Sequence, residues 1–213
     1  MFALEVVLAL LLVVLAGGVA LFFRPFAVLR EPALRAPWLA SVAIVPLAWI
    51  APSALPDGPP VRLSFACLLV LMFGWPLAIW TTLIIATIAA AVSGTLPGGA
   101  FELAAWHGVV PASFALAIGI AVRRWLPAHV FVYILGRGFL GTALAAMAAG
   151  AVATLLRPLP AGTSTATLLV GQWLMAWGEA VLTGMFVAIF VALKPEWLLT
   201  WSDRRYLPRP PGP

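Results

Sequence analysis

The stretch Leu63 to Ser93, LSFACLLVLMFGWPLAIWTTLIIATIAAAVS, decides the fold. It is apolar over 31 residues, too long for one bilayer crossing and too short for two full ones. Gly74-Trp75-Pro76 interrupts it. Proline has no N–H to give a helix and glycine relaxes the backbone, so a break is predicted there. Leu63 to Phe73 alone makes only about 16 Å of helix. The expectation is a short helix followed by a full one. Such a broken element is tolerated only where protein or a water-filled cavity surrounds it.

The rest of the chain also reads as lipid-embedded. Of its 213 residues, 64% are hydrophobic and 9% charged, where a globular domain has roughly 25% charged, so this is an integral membrane protein. Phe2 to Phe23 form the first span. They carry Glu5 and lack a basic n-region, so the segment is expected to be a retained helix and not a cleaved signal peptide. The second span runs from about Pro37 to Ala54, with a kink expected at Pro46, and the turn PDGPP (Pro56 to Pro60) follows. After the broken element come a Gly/Pro-rich connection, Gly94 to Gly99, and a short segment, FELAAWH (Phe101 to His107). Spans are then expected from Gly108 to Val122, from His129 to Leu156 and from Ser164 to Leu193. The predicted fold is an all-α integral membrane protein, one polytopic domain over 1–213, with about seven transmembrane helices, the third short and broken at Gly74-Pro76.

The loops holding Arg24, Arg30 and Arg35, then Arg123 and Arg124, and the C-terminal tail can all lie on the cytoplasmic side. Nine of the twelve basic residues are then inside, Arg62 and Arg157 outside, and Arg137 within a span. The positive-inside rule thus predicts the N-terminus out and the C-terminus in. The net charge of +5 reports orientation, so membrane lipid and not nucleic acid is the expected partner. Cys67 is the one cysteine and forms no intrachain disulfide.

Motifs for soluble chemistry are missing. Lys194 is the only lysine and follows no Gly-rich loop, so the chain carries no phosphate-gripping P-loop. His107 and His129 are too far apart for H-E-x-x-H, and no G-x-S-x-G occurs. Neither enzymatic activity nor a cofactor is expected.

What remains is Glu179, in LMAWGEAVLTGMF (Leu174 to Phe186), near the middle of the last span. A charged group there costs about 2.5–3.5 kcal/mol on insertion scales. Gln172, Met175, Glu179 and Thr183 share one helix face, which should turn to the bundle interior. Two readings stand together: a cation ligand, proton acceptor or substrate contact, or a hydrogen-bonded acid that pins two helices. Arg137 is a poor partner, because side chains lean toward their own helix N-terminus and carry the two groups apart. Glu179 leans instead toward the outer segment with Glu102 and His107. If that segment is a regular helix, these two residues stand about 140° apart and cannot share one ion. His129 reads as structural. Gly141, Ala145, Ala149 and Ala153 recur every four residues, a stripe that lets helices approach closely.

Three blocks resemble the membrane subunits (CbiM/NikM type) of cobalt and nickel energy-coupling-factor transporters, in an uncharacterised bacterial branch. They are LVLMFGWPLAIWTTLIIA (Leu69 to Ala86), AAWHGVVPASF (Ala104 to Phe114) and WGEAVLTGMFVAIFVALKPEWL (Trp177 to Leu198), with WSDRRYL (Trp201 to Leu207) closing the likeness. The resemblance covers roughly 60–207. It implies two extra N-terminal helices over 1–60, a permease-like region over 61–207 and a Pro-rich tail over 208–213. It also implies a multi-pass protein of the bacterial inner membrane that captures a divalent transition-metal ion as cargo and works with separate ATPase and transmembrane coupling subunits. Glu179, between Gly178 and Ala180, matches the family's Gly-Glu-Ala pattern. The family's metal-gripping Met-His start is Met1-Phe2 here, and its second ligand histidine falls near Arg62, which cannot ligate a cation. Glu179 and His107 remain as metal candidates, with Gln172 and Glu102 lining the outer approach. The alternative is a non-transporting accessory protein that assists assembly of a metal-containing membrane complex.

Overall fold

The computed structural model describes residues 2–50, 62–95, 97–159 and 162–207. All regular structure among them is helical, and six helices are long and apolar enough to cross a membrane, the make-up of a multi-pass membrane protein. They are α1 (Phe2–Phe22), α2 (Pro32–Ile50), α3 (Ala66–Val92), α4 (Gly98–Trp125), α5 (Val132–Leu156) and α6 (Thr165–Leu193). Leu15, Phe22, Leu47, Leu155 and Leu193 stand exposed on the outside of the bundle, as a surface immersed in hydrocarbon requires.

The break in α3 is sharp. Gly74 has φ +74° and ψ 160°, a conformation essentially reserved for glycine. Ser64 and Thr82 lie on either side of it, and a straight helix would hold them about 27 Å apart. Both nevertheless reach one place on α4. Ser64 donates its Oγ–H to the His107 carbonyl at 2.6 Å, and Thr82 packs on Gly108, where a Cβ would come within 2.7 Å of its Cβ. The chain therefore doubles back at Gly74, and the arm Ala66–Phe73 is a half-helix with every residue buried.

Breaking α3 frees carbonyls that an unbroken helix would satisfy. Pro76 cannot donate to Met72, and the Gly74 geometry takes Trp75 away from Leu71. The segment after α6 replaces them. Leu199 N–H donates to the Met72 carbonyl at 2.9 Å, and Thr200 donates to the Leu71 carbonyl through Oγ1 at 2.8 Å and N–H at 3.3 Å. Tyr133 Oη lies 2.7 Å from Thr200 Oγ1 and ties this junction to α5.

The expected boundaries shift at three places. The second span begins at Pro32, ahead of the expected Pro37, because proline suits the first helical position, where an N–H has no partner to lose. The short third helix starts at Ala66 and not at Leu63, since Phe65 takes a left-handed conformation at φ 56°. FELAAWH is not a separate segment. It belongs to α4, and Ala104–Val109 are wound as a π-helix in which the Val110 N–H bonds to the Ala105 carbonyl. A second π segment, Val132–Leu140, opens α5. Residues 51–54 of the second span, the PDGPP turn, Met1, Arg209 and the tail 208–213 lie outside the described residues.

The Gly/Ala stripe of α5 is buried at Gly141, Ala145 and Ala149, as its spacing suggested. The closest approaches to α6 sit beside that stripe: Gly138 against Val187 and Gly150 against Gln172, with Gly184 of α6 against Phe139.

Gly74→Ala forces a side chain into glycine-only backbone space and against Leu199 Cδ2, at 3.2 Å. It should destabilise the protein by about 1–3 kcal/mol. Thr200→Val removes the two Oγ1 bonds, to the Leu71 carbonyl and to Tyr133, leaving only the longer N–H bond to Leu71, and should cost about 1–3 kcal/mol. Thermal unfolding in detergent, followed by circular dichroism, checks both; an unchanged midpoint in either variant contradicts the capping account.

Candidate functional site: a polar cavity between Arg62 and Glu179

Three local features converge at the buried end of the half-helix. Pro111 has no N–H, so an α-helical bond to the His107 carbonyl is impossible. That carbonyl accepts from Ser64 Oγ instead. Ser64 Oγ in turn accepts from the Ala66 N–H at 3.1 Å, covering the first donor of the half-helix, and the Ser64 carbonyl accepts from Trp49 Nε1 at 3.1 Å. The Ser64 N–H is left over and donates to Glu179 Oε2 at 3.0 Å. Glu179 is only 3% exposed, so this bond lies wholly within the bundle.

Above this junction lies a cavity of about 220 Å³. Glu179, Met175 and Gln172 line it from α6, His107 and Trp106 from the π segment of α4, and Ala149, Gly150 and Ala153 from α5. Gly150 lets Gln172 approach closely: a Cβ there would stand 2.7 Å from Gln172 Oε1 and would make that side chain shift. Glu179 Oε1 and His107 Nδ1 are both buried and have no protein partner. Buried polar atoms of that kind normally find a partner, so a lined cavity beside them is a place for a polar guest.

Arg62 and Arg157 stand at the cavity wall. Burial and the neighbouring Arg157 charge both lower the Arg62 pKa, yet a guanidinium stays cationic at physiological pH. Arg157 lies 3.4 Å from Glu102 Oε2 and over the Trp106 ring at 5.8 Å. The arrangement therefore offers one carboxyl group at the inner end and two guanidinium groups, one of them already paired.

The structure brings Gln172, Met175, Glu179 and His107 to one cavity. Glu102 does not line it; its carboxylate goes to Arg157. The 140° separation expected for Glu102 and His107 does not apply, because the π-helix between them changes the pitch. What separates them is the Arg157 pair. Thr183 continues the α6 face below the cavity and is buried. Among the described residues no ion pair joins Arg137 to Glu179; Arg137 lies over Tyr133 at 5.4 Å, and His129 is exposed, its Nδ1 accepting from the Phe131 N–H at 3.3 Å. The described residues contain no group of three or more His, Cys, Asp or Glu side chains placed to hold a metal. Ser64 is the residue the sequence reading passed over. Its one signal was to be a lone polar side chain at the head of the broken apolar run.

No family model, curated protein or solved structure matches this chain.

A thiol placed at Ala153 on the cavity wall, in a Cys67→Ala background, reports the local field. An anionic methanethiosulfonate should react several-fold faster than a cationic one, and Arg62→Gln should shrink that ratio toward one. Equal rates with Arg62 in place would show that the two guanidinium groups do not set the potential of the cavity.

Proposed function

We propose that the chain is the membrane substrate-capture component of an energy-coupling-factor-type transporter and holds its cargo in the cavity between Arg62 and Glu179. The observation that carries this reading is the pair of buried, partnerless atoms, Glu179 Oε1 and His107 Nδ1, on two residues that line a polar cavity inside an apolar bundle. Intramembrane ionisable residues facing a cavity typically mark a substrate or ion path. The three blocks of family resemblance, which include Glu179, support the same class.

In this reading the half-helix and its returning arm count as two of seven membrane segments. The basic ends of α1, α4 and α6 face the cytoplasm, and the Arg62–Arg157 mouth opens outward. The host is the bacterial inner membrane. Energy comes from separate ATPase and coupling subunits. A divalent transition-metal ion is the cargo that the resemblance implies. His107, Glu179 and the Gln172 amide oxygen would be its protein ligands. Arg62 and Arg157 oppose a bare cation, so the ion enters with an anionic ligand that they can hold. A small organic anion is accommodated by the same two arginines.

The second reading, an accessory protein that assists assembly of a metal-containing membrane complex, is favoured by one contact. Glu179 Oε2 already serves as an acceptor for the Ser64 N–H, which is a structural task.

Glu179→Gln separates the two, because an amide oxygen can keep the Ser64 bond while the charge is lost. Metal content by mass spectrometry, after exposure to nickel, cobalt, zinc or manganese, should be stoichiometric in wild type and at least tenfold lower in the variant, with an unchanged melting temperature. No metal in either protein, with both folded and equally stable, would sink the metal-capture reading and leave Glu179 as a structural acid.

A further inference from the structure

The opposite end of the bundle holds a second, larger cleft of about 550 Å³, and its chemistry is different. Arg123 at the end of α4, Arg137 in the π segment of α5 and Arg205 in the final helical turn all line it, with no acidic side chain among the lining residues. The ion pairs among the described residues are Arg157–Glu102 and Lys194–Glu196, so none of the three is neutralised by a carboxylate. The nearby Asp203 accepts from Trp201 Nε1 at 2.6 Å. Three cations gathered without a counter-charge mark a place for an anion.

Arg137 is built into this position. Its Nε is buried without a protein partner, and its guanidinium lies over the Tyr133 ring. It also packs against Gly119, where a Cβ would come within 3.0 Å of Nη2. A planar donor held in this way is preorganised to give parallel hydrogen bonds to a phosphate.

The rest of the lining says how the anion is carried. Phe23 and Ile120 are 62% and 58% exposed, and with Leu116 they form an apolar wall. α1 packs against the Gly98–Val109 half of α4, and no comparable packing joins it to the Val110–Trp125 half, so the cleft opens sideways between them. Trp201 and Tyr206, stacked at 5.0 Å, close the polar side. Aromatics of this kind settle at headgroup depth. A soluble anion has no use for a lateral apolar entrance, whereas an acyl chain needs one.

We propose that this cleft binds a phosphate-bearing anion, and that its occupant is the headgroup of an anionic phospholipid whose acyl chain leaves along Phe23 and Ile120. The site is separate from the Arg62–Glu179 cavity and does not depend on what that cavity carries.

Native mass spectrometry of the purified full chain, with phosphatidylglycerol or phosphatidylcholine added in detergent, tests it. Wild type should retain phosphatidylglycerol in preference to phosphatidylcholine. Each arginine removed should lower the retained fraction about fivefold, in Arg137→Gln and in the surface pair Arg123→Gln with Arg205→Gln. The surface pair is exposed, so that variant folds even if Arg137→Gln does not. Equal retention of the two lipids by wild type, or wild-type retention of phosphatidylglycerol by the surface pair, overturns the proposal. A parallel melting curve with inorganic phosphate separates the sources. Stabilisation by phosphate alone, with none from phosphatidylglycerol, would assign the cleft to a soluble anion and overturn the lipid assignment.

Discussion

The half-helix Ala66–Phe73 is buried along its whole length. Each unpaired backbone group in such a place costs several kcal/mol, so partners must come from the protein. At the Ala66 end they are Ser64 Oγ and, one residue out, the carboxyl group of Glu179. At the Phe73 end they are Leu199 and Thr200. Both sets of outer partners belong to α6 or to the segment that follows it. The last helix and its extension act as a bracket around the half-helix, and the bundle is arranged so that this bracket closes.

This constraint accounts for a carboxyl group in the middle of an otherwise apolar helix. An apolar residue at 179 would pack well against its neighbours but would leave the Ser64 N–H buried and unpaired. A carboxyl group accepts that hydrogen bond with one oxygen and keeps the other for a different partner. The two oxygens of this side chain are thus unlike: Oε2 is committed to the backbone, and Oε1 is buried without a protein partner.

The sequence made the membrane class, most helix limits and the break at Gly74-Pro76 legible, because each depends on local chemistry: apolar run length, a missing N–H, a glycine. It also placed Gln172, Met175 and Glu179 on one inward face, since the 3.6-residue period is local too. Other features depend on pairing between distant segments. No residue in FELAAWH announces the π turn at Ala104–Val109. The diversion of Glu102 to Arg157 required knowing that residues 55 positions apart meet at one end of the bundle. Ser64 was hidden for the same reason, as its importance arises only when the His107 carbonyl, freed by Pro111, is brought within 2.6 Å.

The polar chemistry of the molecule is divided between its two ends, and the half-helix lies between them. One end gathers a carboxyl group, an imidazole and two guanidinium groups around a cavity; the other gathers three guanidinium groups beside a lipid-facing wall. Because Ser64 is held by Glu179 and Leu71 by Thr200, the half-helix cannot shift relative to α6 without breaking bonds at both of its ends. Any movement that widens the Arg62–Glu179 cavity must therefore either carry α6 and the half-helix together or strip buried backbone groups of their partners. The second route costs about 1–3 kcal/mol per orphaned group, and at least two groups would be orphaned. Motion of the half-helix and α6 as one body keeps those bonds, but it would break the Ser64 bond to the His107 carbonyl of α4 and the Thr200 bond to Tyr133 of α5, so the half-helix locks three helices of the bundle to one another.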